Sequence, residues 1–281
     1  MKSIVLSVIL ISISLWVKPS TTIDVVSYGK GKPVVIIAGF GGADFWHDTA
    51  GELAQSYEVH VIAVKGVSGQ KTPNRFDVER INGDIHDFFK SNGFDKPILI
   101  GHSFGGFLAM QLAAKYNNLV GKLIIVDSYP FALAIFNPAF TKEIGEQQAQ
   151  VFRSQVGAMP QAHYEAFWTQ NSRDMLASQE EQVNFCNSIL RSDKDFIIDA
   201  QCAMLTTDLR PVLASISCPT QVLCSAFNYL KLGLDEQTIR ARVDAQFHNL
   251  PNCTTFIHQS AKHFLMLDDY AWLIDKINQF I

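Results

Sequence analysis

Ser103 lies between glycines in the segment Ile98–Met110, which reads ILIGHSFGGFLAM. A short apolar run precedes it. The motif G-x-S-x-G, here Gly101–Gly105, is typical of a sharp turn from a strand into a helix, and such a turn exposes the hydroxyl of Ser103. Glycines around the serine allow the close backbone packing that this turn requires. A free hydroxyl is a weak nucleophile at neutral pH, so Ser103 needs a general base within hydrogen-bond distance. The motif predicts a nucleophilic serine, which would act together with a histidine and an acid.

The elements around Ser103 alternate between short apolar runs and helical patterns. This alternation is typical of a mostly parallel sheet covered by helices, and continuous Val/Ile/Leu runs are expected of strands buried on both faces. The predicted strands are Thr22–Tyr28, Pro33–Ala38, Val59–Val64, Pro97–Ile100, Lys122–Val126, Thr220–Ser225 and Thr254–His258. The predicted helices are Trp46–Ser56, Val78–Ser91, Phe104–Tyr116 and Tyr270–Ile281. The fold class predicted from this pattern is α/β.

One long stretch, from Tyr129 to about Thr207, interrupts the alternation. It contains no convincing buried strand, its pattern is helical, and it is too long for a connecting loop. We therefore expect a helical cap at residues 129–207, inserted into a core formed by residues 21–128 and 208–281. The cap is not expected to fold independently.

Three sequence stretches together resemble the α/β-hydrolase superfamily, and within it the serine esterases and lipases that carry a helical cap. They are GHSFGG, the upstream VVIIAGFGG and the downstream AKHFLMLDD. The likeness spans nearly all of the chain after residue 22, and DLRPVLASISCPTQVL is similar to the exit from a cap into a late strand. The resemblance implies the α/β-hydrolase fold, with a mostly parallel central sheet flanked by helices, and hydrolysis of ester bonds.

His263 is the predicted general base among eight histidines. It follows the last predicted strand in a short loop at the carboxyl edge of the sheet, where ligands bind in such folds. His102 lies inside the turn next to Ser103, so its side chain points elsewhere and a packing role is favoured. His258 is expected in or at the end of the last strand.

The third member of a triad has more than one candidate. Many relatives carry the acid just after the strand seen here as TQVLCSAF, where this chain has Asn228, an amide without the charge that stabilises imidazolium. Asp127 ends the strand KLIIVD, and some α/β-hydrolases place their acid there. The resemblance thus implies the triad Ser103, Asp127 and His263, in the chain order of this fold. Asp235 and a neutral or absent third member remain alternatives.

Two backbone N–H groups are expected to bind the oxyanion of a tetrahedral intermediate. One belongs to Phe104, the residue after the nucleophile. By resemblance, the other is the N–H of Phe40, in the glycine-rich turn AGFGG.

Aromatic residues are frequent in the predicted cap, and the stretch PFALAIF directly after Asp127 is well placed to form a pocket wall. Phe131 and Phe136 are therefore candidate pocket residues. An apolar cleft favours a substrate with a hydrophobic acyl or alcohol portion. The expected reaction is hydrolysis of a carboxylic ester through an acyl-enzyme. Alternatives are lactone opening, including that of macrolactone antibiotics, amide or carbon–carbon bond hydrolysis, and ligand binding without catalysis.

Composition argues against several classes of partner. The chain has 23 basic and 27 acidic side chains, a formal net charge of −4 and no basic run, so nucleic acid is not an expected partner. Neither a phosphate-loop motif nor a zinc-type spacing of Cys and His occurs, so no cofactor and no metal are expected. The five cysteines are an odd number and are expected to be mostly buried thiols. The expected partner is a small-molecule ester.

The first twenty residues, MKSIVLSVILISISLWVKPS, are typical of an export signal. A lysine precedes the apolar segment Ile4–Val17, which Pro19 and Ser20 end. This segment is shorter than the about 20 residues that a membrane-spanning helix needs. We expect a periplasmic or secreted protein, without stable membrane insertion once the signal is removed. An uncleaved anchor and a buried first strand are the alternatives.

Overall fold

One seven-stranded sheet forms the centre of the molecule, whose residues 21–72 and 74–281 are described by a computed structural model. Its strands are β1 (Ile23–Gly29), β2 (Lys32–Ile37), β3 (Tyr57–Val64), β4 (Ile98–His102), β5 (Lys122–Val126), β6 (Thr220–Ser225) and β7 (Cys253–His258). Their order is β1-β3-β2-β4-β5-β6-β7. The edge strand β1 pairs antiparallel with β3, and every other pairing is parallel. The predicted α/β class and the mostly parallel sheet are confirmed. The expected export signal lies outside the described residues.

The register of the central strands brings their carboxyl ends to one rim. Gly101 of β4 pairs with Ile37 of β2 on one side and with Ile125 of β5 on the other, and Ile125 pairs with Val222 of β6. These central strands are buried on both faces, which explains their continuous runs of apolar residues. The segments that follow β2, β4, β5 and β6 therefore start at neighbouring points of the same rim.

Outside the segment between β5 and β6, the described residues form seven α-helices. They are α1 (His47–Leu53), α2 (Val78–Ser91), α3 (Phe104–Lys115), α8 (Phe227–Lys231), α9 (Glu236–Gln246), α10 (Leu265–Asp268) and α11 (Tyr270–Phe280). The helix predicted at Trp46–Ser56 begins instead as a 3-10 turn at Ala43–Trp46, which continues into α1. Helices α8 and α9, between β6 and β7, and α10, after β7, were not predicted from the sequence. Helix α3 is buried nearly all round, as an apolar helix packed between layers must be.

Four further helices lie between β5 and β6, and we call this segment the helical insertion. They are α4 (Lys142–Gly157), α5 (Gln161–Met175), α6 (Gln179–Arg191) and α7 (Lys194–Thr206). Helix α4 packs against α7, and α5 packs against α6. The side chains of Ser178 and Asp193 cap α6 and α7 by accepting from backbone N–H groups, so both helices start at residues suited to the N-cap position. The four helices lie within residues 129–207, the segment predicted to form a helical cap.

Membrane-spanning helices, metal-binding clusters and disulfides were each sought in the described residues. No helix within residues 21–72 and 74–281 is both long and apolar enough to cross a membrane. Within the same ranges, no three His, Cys, Asp or Glu side chains come together as a metal-binding group would require. The five cysteines are unpaired thiols, of which four are buried.

Candidate active site

Ser103 occupies a strained turn between β4 and α3. Its backbone has φ +53° and ψ −121°, outside the helical and strand regions that residues other than glycine favour, and its N–H donates to the Val126 oxygen at 3.1 Å. The turn needs glycine at position 105, because a Cβ on Gly105 would lie 2.0 Å from the Ile37 carbonyl oxygen. The motif thus forms the strand-to-helix turn that was predicted, and Ser103 lines a cavity above it.

Asp127 follows β5 at the same rim and accepts a hydrogen bond from the base candidate. Its Oδ2 lies 2.7 Å from Nδ1 of His263, and its Oδ1 accepts from the backbone N–H of Ser225 at 2.9 Å. An ionised carboxylate only accepts hydrogen bonds, so Nδ1 of His263 carries the proton and Nε2 presents a lone pair. His263 lines the cavity together with Ser103 and Asp127. The structure therefore brings the three residues of the predicted triad to one cavity.

The two other candidates for the third residue of the triad, Asn228 and Asp235, make different contacts. Asn228 donates from Nδ2 to the backbone oxygen of Asp174, in the helical insertion, at 3.0 Å. Asp235 caps α9 by accepting from the Thr238 N–H at 2.7 Å, and hydrogen bonds from Thr238 lower the pKa of its carboxyl group. Neither side chain hydrogen-bonds to His263.

The residue before the nucleophile has a role that the sequence analysis missed. His102 is fully buried, and its Nε2 donates to the backbone oxygen of His263 at 3.0 Å. Burial, followed by the nearby His263, lowers the pKa of His102 well below its ordinary value of 6.5, so the ring stays neutral. A packing role was predicted, whereas the ring also holds the backbone of the base.

The two N–H groups proposed for the oxyanion are free to donate. Phe104 is the first residue of α3, so its N–H has no acceptor within the helix, and it lies at the positive end of the helix dipole. Phe40 lies outside helices and strands, and its N–H has no backbone acceptor among residues 21–72 and 74–281. The two rings pack against each other with centroids 5.7 Å apart. This contact links the turn after β2 to the first residue of α3, the two places that carry these N–H groups.

The cavity above Ser103 has a volume of about 400 Å³ and is mostly apolar. Asp127 and His263 of the predicted triad lie in the cavity wall. The described lining residues include no Lys or Arg. Tyr229, which is buried, and Tyr129, which is partly buried with its hydroxyl out of solvent, also line the cavity. Desolvation raises the pKa of both phenols, which keeps them neutral. The cavity is suited to an uncharged ligand.

The helical insertion supplies a wall that the sequence analysis did not single out. Trp168, Asn171 and Met175 of α5 line the cavity, as do Gln201 and Met204 of α7. These residues recur at spacings of three and four along their helices, which places them on one face. That spacing was a detectable signal, but it would have required knowing which face of each helix meets the core.

The two predicted pocket residues differ in position. Phe136 lines the cavity at a partly open place: it is 49% exposed, and its ring lies 5.5 Å from that of Tyr229. Phe131 is fully buried and is not part of the lining, which corrects the prediction. Gln246 bonds both backbone groups of Phe131, and the Arg210 guanidinium lies 5.1 Å from its ring. These contacts turn Phe131 into the protein and away from the ligand space.

Comparison with known proteins identifies the family. The alpha/beta hydrolase fold family matches residues 32–270, most of the chain. The chain belongs to the α/β-hydrolase family. It is 26% identical over 204 residues to a protein of Serratia proteamaculans named "Putative carbamate hydrolase RutD", covering 70% of this chain and 75% of that one.

Solved structures with low sequence identity share the fold. A thermophilic esterase from Thermogutta terrifontis superposes with a TM-score of 0.73 at 19% identity, covering 92% of each chain. The enol-lactonase from Burkholderia xenovorans has a TM-score of 0.70 at 14% identity, covering 92% of this chain and 95% of the other. These structures confirm the α/β-hydrolase fold expected from the sequence, and the family match indicates a hydrolase.

Proposed function

We propose that this hydrolase cleaves carboxylic esters with Ser103 as nucleophile, His263 as general base and Asp127 as the acid that orients and stabilises the imidazole. The observation that carries the proposal is the 2.7 Å contact between Asp127 Oδ2 and His263 Nδ1, at a cavity that Ser103 also lines. A carboxylate at Nδ1 favours the tautomer whose Nε2 can accept the serine proton.

The reaction proceeds in two halves. Nε2 of His263 takes the proton of the Ser103 hydroxyl as Oγ bonds to the ester carbonyl carbon, and the N–H groups of Phe40 and Phe104 bind the oxyanion. The intermediate collapses, the bond to the alcohol oxygen breaks, and His263 protonates the departing alcohol. Water then gives a proton to His263 and attacks the acyl-enzyme. Release of the carboxylic acid returns the proton to Ser103.

The lining supports a neutral substrate with an apolar portion. Side chains such as Trp168, Met175 and Met204 would contact that portion, and no Lys or Arg of the described lining would pair with an anion. A charged substrate would have to leave its charge outside this cavity, since an unpaired ion in an apolar site is strongly disfavoured.

Carbamate hydrolysis is a second candidate, favoured by the named relative that is 26% identical over 70% of this chain. The same serine can add to a carbamate carbonyl, and the same oxyanion donors serve. A carbamoyl-enzyme releases its product more slowly than an acyl-enzyme when its nitrogen donates electrons to the carbonyl. A burst followed by slow turnover on carbamates, with fast turnover on esters, would favour the ester as the substrate.

A fluorophosphonate probe tests the nucleophile, since it labels activated serines. We expect labelling of the wild type and none in Ser103→Ala. Ser128→Ala is a matched control, because Ser128 lines the same cavity and has no role in the proposal. Loss of label only in Ser103→Ala supports the proposal. A wild type that stays unlabelled contradicts it and favours a binding protein.

A substrate panel then tests the bond that is cleaved. Purified protein is assayed on esters of graded acyl length, lactones, amides and carbamates of comparable size. The proposal expects the highest kcat/KM on neutral apolar esters. A preference for another bond type would keep the triad and change the substrate class.

We also propose that the chain is exported and that its export signal is removed. The mass of the protein recovered from the producing cells tests this, because a chain without its signal is lighter than the full sequence.

A further inference from the structure

The segment at residues 259–262, which we call the base loop, leads from β7 to His263. It belongs to neither a helix nor a strand. Ala261 of this loop is buried, so its backbone N–H and C=O need partners within the protein, whereas Gln259 and Ser260 are exposed. The position of the His263 ring depends on how this loop is held.

Side chains from several elements hold the base loop. The N–H groups of Ser260 and Ala261 both donate to Nδ1 of His258, at 3.2 and 2.9 Å. The Ala261 oxygen accepts from Oγ of Ser225 at 2.7 Å. A third N–H, that of Lys262, donates to the carboxylate of Asp268 at 2.8 Å.

The tautomer of His258 follows from these contacts. Two N–H groups point at Nδ1, so Nδ1 is unprotonated and the ring proton sits on Nε2. Nε2 donates to Oδ2 of Asp269 at 2.9 Å, and Oδ1 of Asp269 accepts from the Trp272 N–H at the start of α11, at 3.1 Å. The ring of Trp272 packs edge-on against His258 with centroids 4.9 Å apart.

The pair is partly shielded from solvent. The His258 side chain is 11% exposed, and the Asp269 side chain is 40% exposed. Hydrogen bonds from Trp272 and then from His258 lower the pKa of the Asp269 carboxyl group, so it is ionised at neutral pH. An acceptor with a full negative charge holds the proton of His258 on Nε2.

We propose that His258 and Asp269 are positioning residues, which fix the base loop and thereby the His263 imidazole against Asp127. Asp269 determines which nitrogen of His258 faces the loop, and only the unprotonated nitrogen can accept the two backbone N–H groups. The inference rests on the proposed function, in which His263 is the general base. Neither residue lines the cavity, so neither touches substrate.

Two substitutions at position 269 separate this role from helix capping. Asp269→Asn keeps the size of the side chain, and its oxygen can still accept from Trp272. Its NH₂ group then faces Nε2 of His258, which favours the tautomer with the proton on Nδ1 and repels the two loop N–H groups. Asp269→Ser also caps a helix, but its short hydroxyl leaves Nε2 to water and does not reverse the tautomer.

We expect kcat of Asp269→Asn to fall by about 10- to 100-fold with KM little changed, because a displaced base acts on the chemical step. The loss in Asp269→Ser is expected to be several-fold smaller. A purely structural role for Asp269 predicts the reverse order, because Ser removes more contacts than Asn. The assay uses a p-nitrophenyl ester on the whole chain, with circular dichroism to check the fold. A kcat of Asp269→Asn within two-fold of wild type, or a larger loss in Asp269→Ser, would overturn the proposal.

The tautomer of His258 can be measured in the wild-type protein, so this test does not depend on whether a variant folds. In wild-type protein with ¹⁵N-labelled histidine, NMR is expected to show the His258 proton on Nε2 and an unprotonated Nδ1. A proton on Nδ1 would overturn the inference. Failure of the proposed function is distinguishable, because the wild type would then resist fluorophosphonate while the tautomer remained as described. An active, labelled wild type with an unaffected Asp269→Asn variant would reject the positioning role alone.

Discussion

Nε2 of His102 donates to the backbone oxygen of His263 at 3.0 Å, so the residue before the nucleophile holds the main chain of the base. The two rings lie 4.6 Å apart between centroids. One hydrogen bond thus joins the last residue of β4 to the residue that ends the loop after β7, 161 residues further along the chain. The neutral state of the buried His102 ring is what allows this bond without a buried charge.

Substitution of the acid tests the triad. Asp127→Asn should fold, because its oxygen can still accept from the Ser225 N–H. Its NH₂ group would then face Nδ1 of His263 and favour the tautomer that cannot accept the serine proton. We expect kcat to fall by about 10⁴-fold, because an amide in place of the triad carboxylate holds the imidazole in the wrong tautomer. Steady-state kinetics on the best ester measures the effect.

Asp235→Asn is the control for that experiment, since Asp235 caps α9 and has no bond to His263. It should retain near-native kcat. A near-native Asp127→Asn, or an inactive but folded Asp235→Asn, would assign the acid differently.

Filling the cavity should change chain-length preference. Met204 of α7 lines the cavity, and Met204→Trp adds bulk to a space of about 400 Å³. We expect kcat/KM for long-chain esters to fall by about 10-fold or more relative to short ones, because each methylene in an apolar pocket contributes about 1–3 kcal/mol. A series of p-nitrophenyl esters measures the ratio.

Leu232→Trp provides the matched control, because Leu232 is 65% exposed and lies outside the cavity. Its chain-length profile should equal that of the wild type. If Met204→Trp also leaves the profile unchanged, the apolar portion of the substrate binds elsewhere.

Much of the fold was readable from local patterns. The buried strands are short continuous apolar runs, and Ser103 lies in a motif whose glycines are required by close backbone contacts, as the 2.0 Å clearance at Gly105 illustrates. Such signals are local in sequence and therefore visible without coordinates. The helices α8, α9 and α10 were missed because they are short or weakly amphipathic beside strong strand signals.

The contacts that position the site were not readable in the same way. The bond of His102 to His263 and that of Asn228 to Asp174 join residues far apart in the chain. Their donors are ordinary polar side chains, and only the fold determines which backbone group each one meets. Phe131 was misplaced for the same reason, because adjacency to Asp127 in sequence does not determine which way a side chain points.

Asn228 is expected to contribute to stability through its contact with the helical insertion. Asn228→Asp removes the hydrogen bond from Nδ2 to the backbone oxygen of Asp174, because a carboxylate cannot donate. We expect the free energy of unfolding to fall by about 1 kcal/mol or more, with no gain in activity. Urea unfolding measures the change.

Asn249→Asp is a matched control, since Asn249 also donates to a carbonyl oxygen, that of Arg210, but at an exposed position. It should change stability by less than about 0.5 kcal/mol. Equal stability of Asn228→Asp and wild type would remove the anchoring role from Asn228.

The buried His102 predicts a stability that declines in acid. In the folded state its pKa is well below 6.5, mainly because of burial, whereas the unfolded chain protonates it near its ordinary value of about 6.5. As the pH falls below about 6.5, the unfolded state binds one more proton than the folded state, so the free energy of unfolding decreases, by about 1.4 kcal/mol per pH unit for one proton. His60, whose pKa is lowered by burial and partly restored by Glu58, contributes in the same direction.

His102→Gln should weaken this pH dependence, because glutamine does not titrate and its NH₂ group can still donate to the His263 oxygen. Urea unfolding at pH values between about 8 and 5 measures the slope. His248→Gln is the control: His248 is exposed, and its removal should leave the slope of the wild type unchanged. If His102→Gln and wild type lose stability in parallel as the pH falls, the ring of His102 takes up a proton in the folded state, and its bond to His263 must then be that of an imidazolium.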